Sequence, residues 1–321
     1  MARPQISGFF SPLVGSLAVV VALGGCGGGD GDDGRGDPDA AANVDAEVPS
    51  DYTRLIGREW TLPPGAADTY RCVRVTVPTE TYITNIMAQA PLGTHHTVLS
   101  ISDSRTSGPD GVYDCTVSEL GMVMLYASGV GTSPLDLPDG VGVRVPAGTQ
   151  LHLNLHLYNA SDAPLSGESA ILVRSQATPT PTLAEMVFAG TFLVSIPANS
   201  TEHTISGGCT ANADYSLFAV WPHMHQLATH QKVEHTRSGS TTVLHDHPFS
   251  FAEQNYYRME PQPFAVQAGD EIRVTCTYDN PTGSTVTFGD SSNQEMCFSG
   301  LYRYPAQGGN IFSCSTGGGF F

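Results

Sequence analysis

Trp221-Pro222-His223-Met224-His225 sets two imidazoles two residues apart, and Asn293-Gln294-Glu295-Met296-Cys297 supplies a thioether further along the chain. In an extended backbone side chains alternate with a period of two, so His223 and His225 would project from one face as a two-nitrogen clamp. Methionine sulfur is a soft donor that suits Cu(I) far better than zinc, magnesium or calcium, so copper is the metal expected of such a set. A His-x-His alone is equally compatible with surface or core histidine, and the remaining histidines decide whether this one stands alone.

They offer further nitrogens. His95-His96 follows Gly93 and leads into Thr97-Val98-Leu99-Ser100, a stretch of strand composition. Neighbours in a regular strand face opposite ways, so this pair can share one ion only at a strand end, at a bulge, or through different ring nitrogens. Otherwise one ring is core and the other solvent. In Leu151-His152-Leu153-Asn154-Leu155-His156-Leu157-Tyr158 the leucines alternate with polar residues, which makes one face core and the other polar. His152 and His156 would stand roughly 13 Å apart along a strand, too far to share an ion. His245-Asp246-His247 is a second His-x-His, but Pro248 follows and no soft donor is near. His203, His230 and His235 stand singly and read as surface residues.

The chain carries 14 Lys+Arg against 31 Asp+Glu, a formal charge of -17, which disfavours nucleic acid and anionic membrane surfaces as partners. There is no Gly-x-Ser-x-Gly, no phosphate-binding glycine loop and no His-Glu-x-x-His, so nucleophilic hydrolysis and nucleotide chemistry find no support. With 35 glycines and 22 prolines, few stretches can run as long helices, and an all-β chain is expected.

Residues 1–26 read as an export signal: Arg3 starts it, Phe9 to Leu23 form its apolar run, and Leu23-Gly24-Gly25-Cys26 stands where cleavage would occur. The arrangement resembles a bacterial lipoprotein signal with lipid on Cys26; an ordinary secretory signal is the alternative. Residues 27–50 are rich in Gly, Asp and Ala and read as a disordered tether. Six cysteines then remain, Cys72, Cys115, Cys209, Cys276, Cys297 and Cys314, scattered and without Cys-x-x-Cys spacing. Behind an export signal they read as disulfides of an oxidising compartment, of a connectivity the sequence alone leaves open.

The exported part is long enough for two domains, and Ala177-Thr178-Pro179-Thr180-Pro181-Thr182 marks a break, because its prolines cannot join a ladder. Each half opens with a strand ending in proline, at Pro78 and at Pro197, and each later has a turn feeding a strand, at Val145-Pro146-Ala147-Gly148 and Val266-Gln267-Ala268-Gly269. Two related antiparallel β-sandwiches follow, at 51–178 and 179–321.

Taken together, His95-His96, the His156 strand, His223-x-His225 and Glu295-Met296-Cys297 occur in the order found in the copper type II ascorbate-dependent monooxygenases, the relatives of peptidylglycine α-hydroxylating monooxygenase and dopamine β-hydroxylase. The resemblance runs from about residue 55 to 305 and includes Gly269-Asp270-Glu271-Ile272 and Cys276-Thr277-Tyr278-Asp279-Asn280-Pro281. It implies two jelly-roll-like domains, each giving one copper to a solvent-filled cleft. It further implies that His95, His96 and His156 hold an electron-transfer copper, and that His223, His225 and Met296 hold the copper where dioxygen is activated and a small-molecule C–H bond hydroxylated. Ascorbate or a similar reductant would reduce both. Cysteine positions of the family imply the pairs Cys72–Cys115, Cys209–Cys314 and Cys276–Cys297.

Departures from the family bear on the substrate. The peptide-amidating members carry an arginine where this chain has Trp221, and an asparagine and a tyrosine where it has Phe298 and Gly300. These changes suit a less polar, non-peptide substrate. The alternative to an enzyme is a non-catalytic copper-binding lipoprotein of the cell envelope, using the same scaffold for metal capture or delivery and touching the membrane only through its lipid.

Overall fold

The computed structural model describes residues 48–317, apart from 67, 122, 130, 252–254, 290 and 309. The expected signal, Cys26 and most of the expected tether lie outside the described residues. Among those described, every regular element is a strand, as the glycine and proline content led one to expect.

Strands before residue 184 form two sheets. One runs in the order Thr53–Leu62, Leu165–Gln176, Thr81–Gln89, Val141–Val145 and Thr182–Leu183, with Leu135–Asp136 also against Thr81–Gln89; the other runs Gly111–Asp114, Thr69–Thr76, Gln150–Leu157, Thr94–Ile101 and Val123–Ser128. Strands after residue 184 form a second pair of sheets and a two-stranded ladder of Ser195–Ile196 with Val286–Thr287. One runs Tyr257–Arg258, Tyr215–His223, Cys297–Tyr304, Glu185–Thr191 and Cys314–Thr316, with Phe264–Val266 also against Tyr215–His223; the other runs Ser200–Thr210, Glu271–Asn280, Ala228–Arg237 and Ser240–Pro248. Among the described residues no ladder joins strands before residue 184 to strands after it. The proline-rich segment behaves as its composition dictates, except that Thr182–Leu183 pairs in parallel with Val141 and Gly142 of the first half.

The second half has its own core around Leu217, Val220, Val233, Val274 and Leu301. A further core is shared by the halves: Leu99, Tyr126, Leu153 and Ile171 cluster with Phe188, Phe218, Trp221, Phe298 and Tyr302. Side-chain alternation explains the split, since along Cys297–Tyr304 the residues Cys297 and Leu301 enter the local core while Phe298 and Tyr302 enter the shared one. That strand is buried on both faces.

The strand Gln150–Leu157 corrects a simpler expectation. Its leucines are fully buried, but its polar face is covered too. Asn154 donates to the carbonyls of Thr116 and Glu119 at 3.0 and 3.2 Å, under a loop that the Cys72–Cys115 disulfide fastens to the neighbouring strand. The other two disulfides, Cys209–Cys314 and Cys276–Cys297, tie the two sheets of the second half together. All three pairs are those the resemblance implies, and each contributes about 2–4 kcal/mol by restricting the unfolded chain.

His152, on the covered face, lies 2.9 Å from the Tyr113 hydroxyl through Nε2. Burial, and after it the charge of Arg74, push its pKa down to about 4. An unfolded chain takes up that proton near pH 6.5. Between the two values the unfolded state binds more protons, so this residue makes stability fall as pH drops from about 6.5 toward 4. His152→Gln is expected to flatten the loss of stability between pH 7.5 and 5 by about 1–2 kcal/mol, read from urea midpoints. An equally steep loss in the variant would contradict this role.

Candidate metal centre

His95 and His96 meet because the ladder is irregular at that point. Thr94 pairs with Leu157 and His96 with His156, so His95 is an extra residue against the partner strand, a β-bulge. Gly93, at φ +97°, holds the turn before it, where an added Cβ would strike Leu165 and Trp60. The bulge brings the two Nδ1 atoms to 3.3 Å. His156 arrives from the adjacent strand, and the ligand atoms of the three rings lie within 4.8 Å of one another.

The third ring is held from two sides. Tyr70 stacks on His156, with ring centroids 4.6 Å apart and planes 8° apart. His156 Nε2 donates to Asp68 Oδ1 at 2.9 Å, which leaves Nδ1 of the neutral ring with its lone pair. Burial, then the neighbouring charge of His156, lower His95 to about 4; burial lowers His156 as well, against the opposing pull of Asp68. His96 is pushed well below the ordinary value by burial and then by the histidines around it, including His223 and His225. Three neutral imidazoles at neutral pH are what a transition-metal ion requires of its ligands.

The second group forms where a strand stops. Tyr215–His223 ends at its histidine, Met224 turns into the local core, and His225 returns to the side of His223, with ring centroids 5.5 Å apart. His225 Nδ1 donates to the Gln294 carbonyl at 2.9 Å, which puts the lone pair of the neutral ring on Nε2. Met296 is fixed by its neighbours. The Glu295 carboxylate accepts from the backbone N–H of His225 at 2.9 Å and of Leu227 at 2.6 Å; the Tyr278 hydroxyl donates to the Met296 carbonyl at 2.6 Å; and Cys297 is disulfide-bonded to Cys276. Burial pushes the Glu295 carboxyl up to about 7, and the backbone N–H groups of His225, Leu227 and Met296 pull it back.

Both groups open into one pocket. Its wall includes His96, His156, His223, His225, Met296, Tyr70, Trp221, Val98, Leu120 and Phe251, around a cavity of about 90 Å³. Phe251 contacts both groups, with its ring centroid 5.0 Å from His95, 5.4 Å from His96 and 6.0 Å from His225. The pocket is small and mostly apolar, with Phe251 and its apolar neighbours in the wall between the groups. Trp221 stacks on His223 at 5.0 Å and 18°. Its cross-strand partner is Gly300, where a Cβ would lie 3.4 Å from the indole, so the glycine leaves room for the ring. Phe298 packs with Phe188, Phe192 and Phe312 in the shared core and is not part of the pocket wall.

The remaining histidines have other partners. His235 is buried rather than on the surface: its Nε2 lies 2.8 Å from Asp270, which also takes Arg237. His230 lies 3.1 Å from Asp246, and His245 and His247 face each other at the edge of the second half. Asp68, Tyr70, Phe251 and the carboxylate of Glu295 support the pocket without having been singled out for it by type or spacing.

Glu295→Gln leaves one backbone N–H facing an amide N–H₂, so it is expected to weaken metal at His223, His225 and Met296 by about 10–100-fold while sparing His95, His96 and His156. Metal titration of the variant checks this, and equal weakening of both groups would contradict the clamp.

Residues 182–316 match the family model of the copper type II ascorbate-dependent monooxygenase, C-terminal domain. The chain is 27% identical over 260 residues to peptidyl-glycine alpha-amidating monooxygenase A of Xenopus laevis, covering 77% of this chain and 27% of that protein. It is 25% identical over 302 residues to the human DBH-like monooxygenase protein 2, covering 84% of this chain and 60% of that one. The chain therefore spans about a quarter and three fifths of these two relatives. Among solved structures, the major capsid protein P2 from bacteriophage PM2 gives a TM-score of 0.30 at 9% identity, covering 77% of this chain and 96% of that one, a likeness from which nothing follows. Along residues 182–316 the chain is therefore similar to the C-terminal domain of the copper type II ascorbate-dependent monooxygenases, and over most of its length to two monooxygenases.

Proposed function

We propose that the pocket is the active site of a dicopper monooxygenase that hydroxylates a C–H bond of a small, uncharged substrate, using dioxygen and ascorbate or a similar reductant. The observation that carries the reading is the convergence of two chemically different donor sets on one pocket. His95, His96 and His156 offer nitrogen alone, which accommodates either oxidation state of copper, whereas His223, His225 and Met296 add a thioether, which favours Cu(I). Copper bound at the two sets supplies the one-electron steps by which dioxygen is reduced and a C–H bond oxidised.

The protein's own contribution is positioning and exclusion. Asp68 and Gln294 fix the tautomers of His156 and His225, the Glu295 clamp holds Met296 beside His225, and Phe251 with Trp221 keeps bulk water from the space between the sets. No Arg, Lys, Asp or Glu contributes to the pocket wall among the described residues. A substrate carboxylate or ammonium would enter without a counter-ion, at a desolvation cost, and this supports an uncharged, non-peptide substrate. The indole of Trp221 fills the position at which the resemblance places the substrate-gripping arginine of amidating enzymes.

Within the same proposal the two copper domains are 51–178 and 179–321. The protein is exported to a bacterial cell envelope and held there by lipid on Cys26, a location in keeping with three disulfides.

Met296→Ile is expected to abolish oxygen consumption and to lower bound copper by about one equivalent, leaving the histidine trio loaded; His156→Ala should lose the other equivalent. Copper counting on both variants tests the assignment, and retention of the full complement by either contradicts it. In ascorbate-driven assays a glycine-extended peptide should be turned over no faster than background, with product formed from neutral apolar compounds. Efficient peptide amidation would overturn the substrate assignment alone.

A further inference from the structure

His245 and His247 share a face of the strand Ser240–Pro248, because side chains alternate along it. Asp246 turns to the opposite face and takes His230 there, at 3.1 Å. The two imidazoles left on the first face have ring centroids 4.8 Å apart and planes 47° apart. That separation falls inside the range spanned by the pocket's own histidine trio, whose centroids stand 4.1, 5.0 and 5.6 Å apart, and is shorter than the 5.5 Å of His223 and His225.

Two further observations set this pair apart from ordinary surface histidines. Tyr257, from a strand of the other sheet, lies against both rings, 4.3 Å from His245 and stacked at 5.1 Å and 14° on His247, so neither imidazole is free to turn away. His245 is only 4% exposed, and its Nδ1 is buried without a hydrogen-bond partner, while His247 is exposed and open to solvent. A buried imidazole nitrogen lacking a partner is costly unless something accepts its lone pair or its proton. Burial, and then the nearby charges of His247 and His230, hold His245 neutral with a pKa of about 4, so its lone pair is available throughout the neutral range.

We propose that His245 and His247 form a third metal position, a two-nitrogen clamp for Cu(II) on the outside of the second half, separate from the pocket. With imidazole ligands and no thioether or thiolate, the pair suits the divalent ion rather than Cu(I), and among first-row divalent ions copper binds such nitrogen sites most tightly. Four residues, Pro248 to Phe251, connect this clamp to the pocket wall, so His247 and Phe251 are separated by no more than about 14 Å of extended chain. The clamp therefore holds copper at the solvent side of the segment that closes the pocket, and it does so whether or not the pocket is an oxygenase site.

The test uses the full chain carrying His156→Ala and His223→Ala, which disables both pocket sets, equilibrated with Cu(II) and dialysed. Adding His247→Gln is expected to lower bound copper by about one equivalent and to remove an electron paramagnetic resonance signal split by two nitrogens. His247 is exposed, so this change leaves the fold in place, and the same difference should be read in the otherwise unaltered chain as the loss of a third equivalent. If His247→Gln changes neither the copper count nor the two-nitrogen signal in either background, the clamp does not exist. Loss of copper at Met296→Ile or His156→Ala reports on the pocket independently.

Discussion

The arrangement depends on one pair of strands, Tyr215–His223 and Cys297–Tyr304, whose register sets Trp221 against Gly300 and His223 against Phe298. Both strands are buried on both faces, one toward the second half's own core and one toward the core shared with the first half. A slip of one residue would exchange these faces and send Phe298 and Tyr302 into the wrong core, so the register is strongly specified. That same register brings the end of one strand, with its histidines, beside the start of the other, with its methionine. The residues of the second set thus lie where two strands buried on both faces meet, and the Glu295 clamp and the Cys276–Cys297 disulfide hold them there.

Electrostatics complements this mechanical frame. Five histidines drawn to one apolar pocket cannot be charged together, and burial keeps the most enclosed of them neutral. The His95 and His96 Nδ1 atoms approach to 3.3 Å. The pocket wall holds no Arg, Lys, Asp or Glu among the described residues, so a charge left unpaired there would be costly by the same rule that keeps the imidazoles neutral.

Much of this was legible in the chain. The His-x-His spacing places both rings on one side although the strand stops at His223, because the backbone stays extended for two residues more. Gly93 ahead of His95-His96 signalled the irregularity that became the bulge. The all-β composition matches the described sheets, and the resemblance anticipated all three disulfides. What could not be read was tertiary. Phe251 reaches the pocket from a loop without periodic signal, Asp68 and Tyr70 are ordinary residues until the fold presents them to His156, and the polar side of the Gln150–Leu157 strand looked solvent-facing because its covering loop lies more than thirty residues upstream.

The central claim is that two donor sets of different softness face one pocket and each takes one copper. Anomalous diffraction at the copper edge, from crystals of the copper-loaded chain, tests it most directly. The account predicts two peaks in the pocket, one bounded by His95, His96 and His156 and the other by His223, His225 and Met296. A single peak there, or copper beyond bonding distance of the Met296 sulfur, would contradict it.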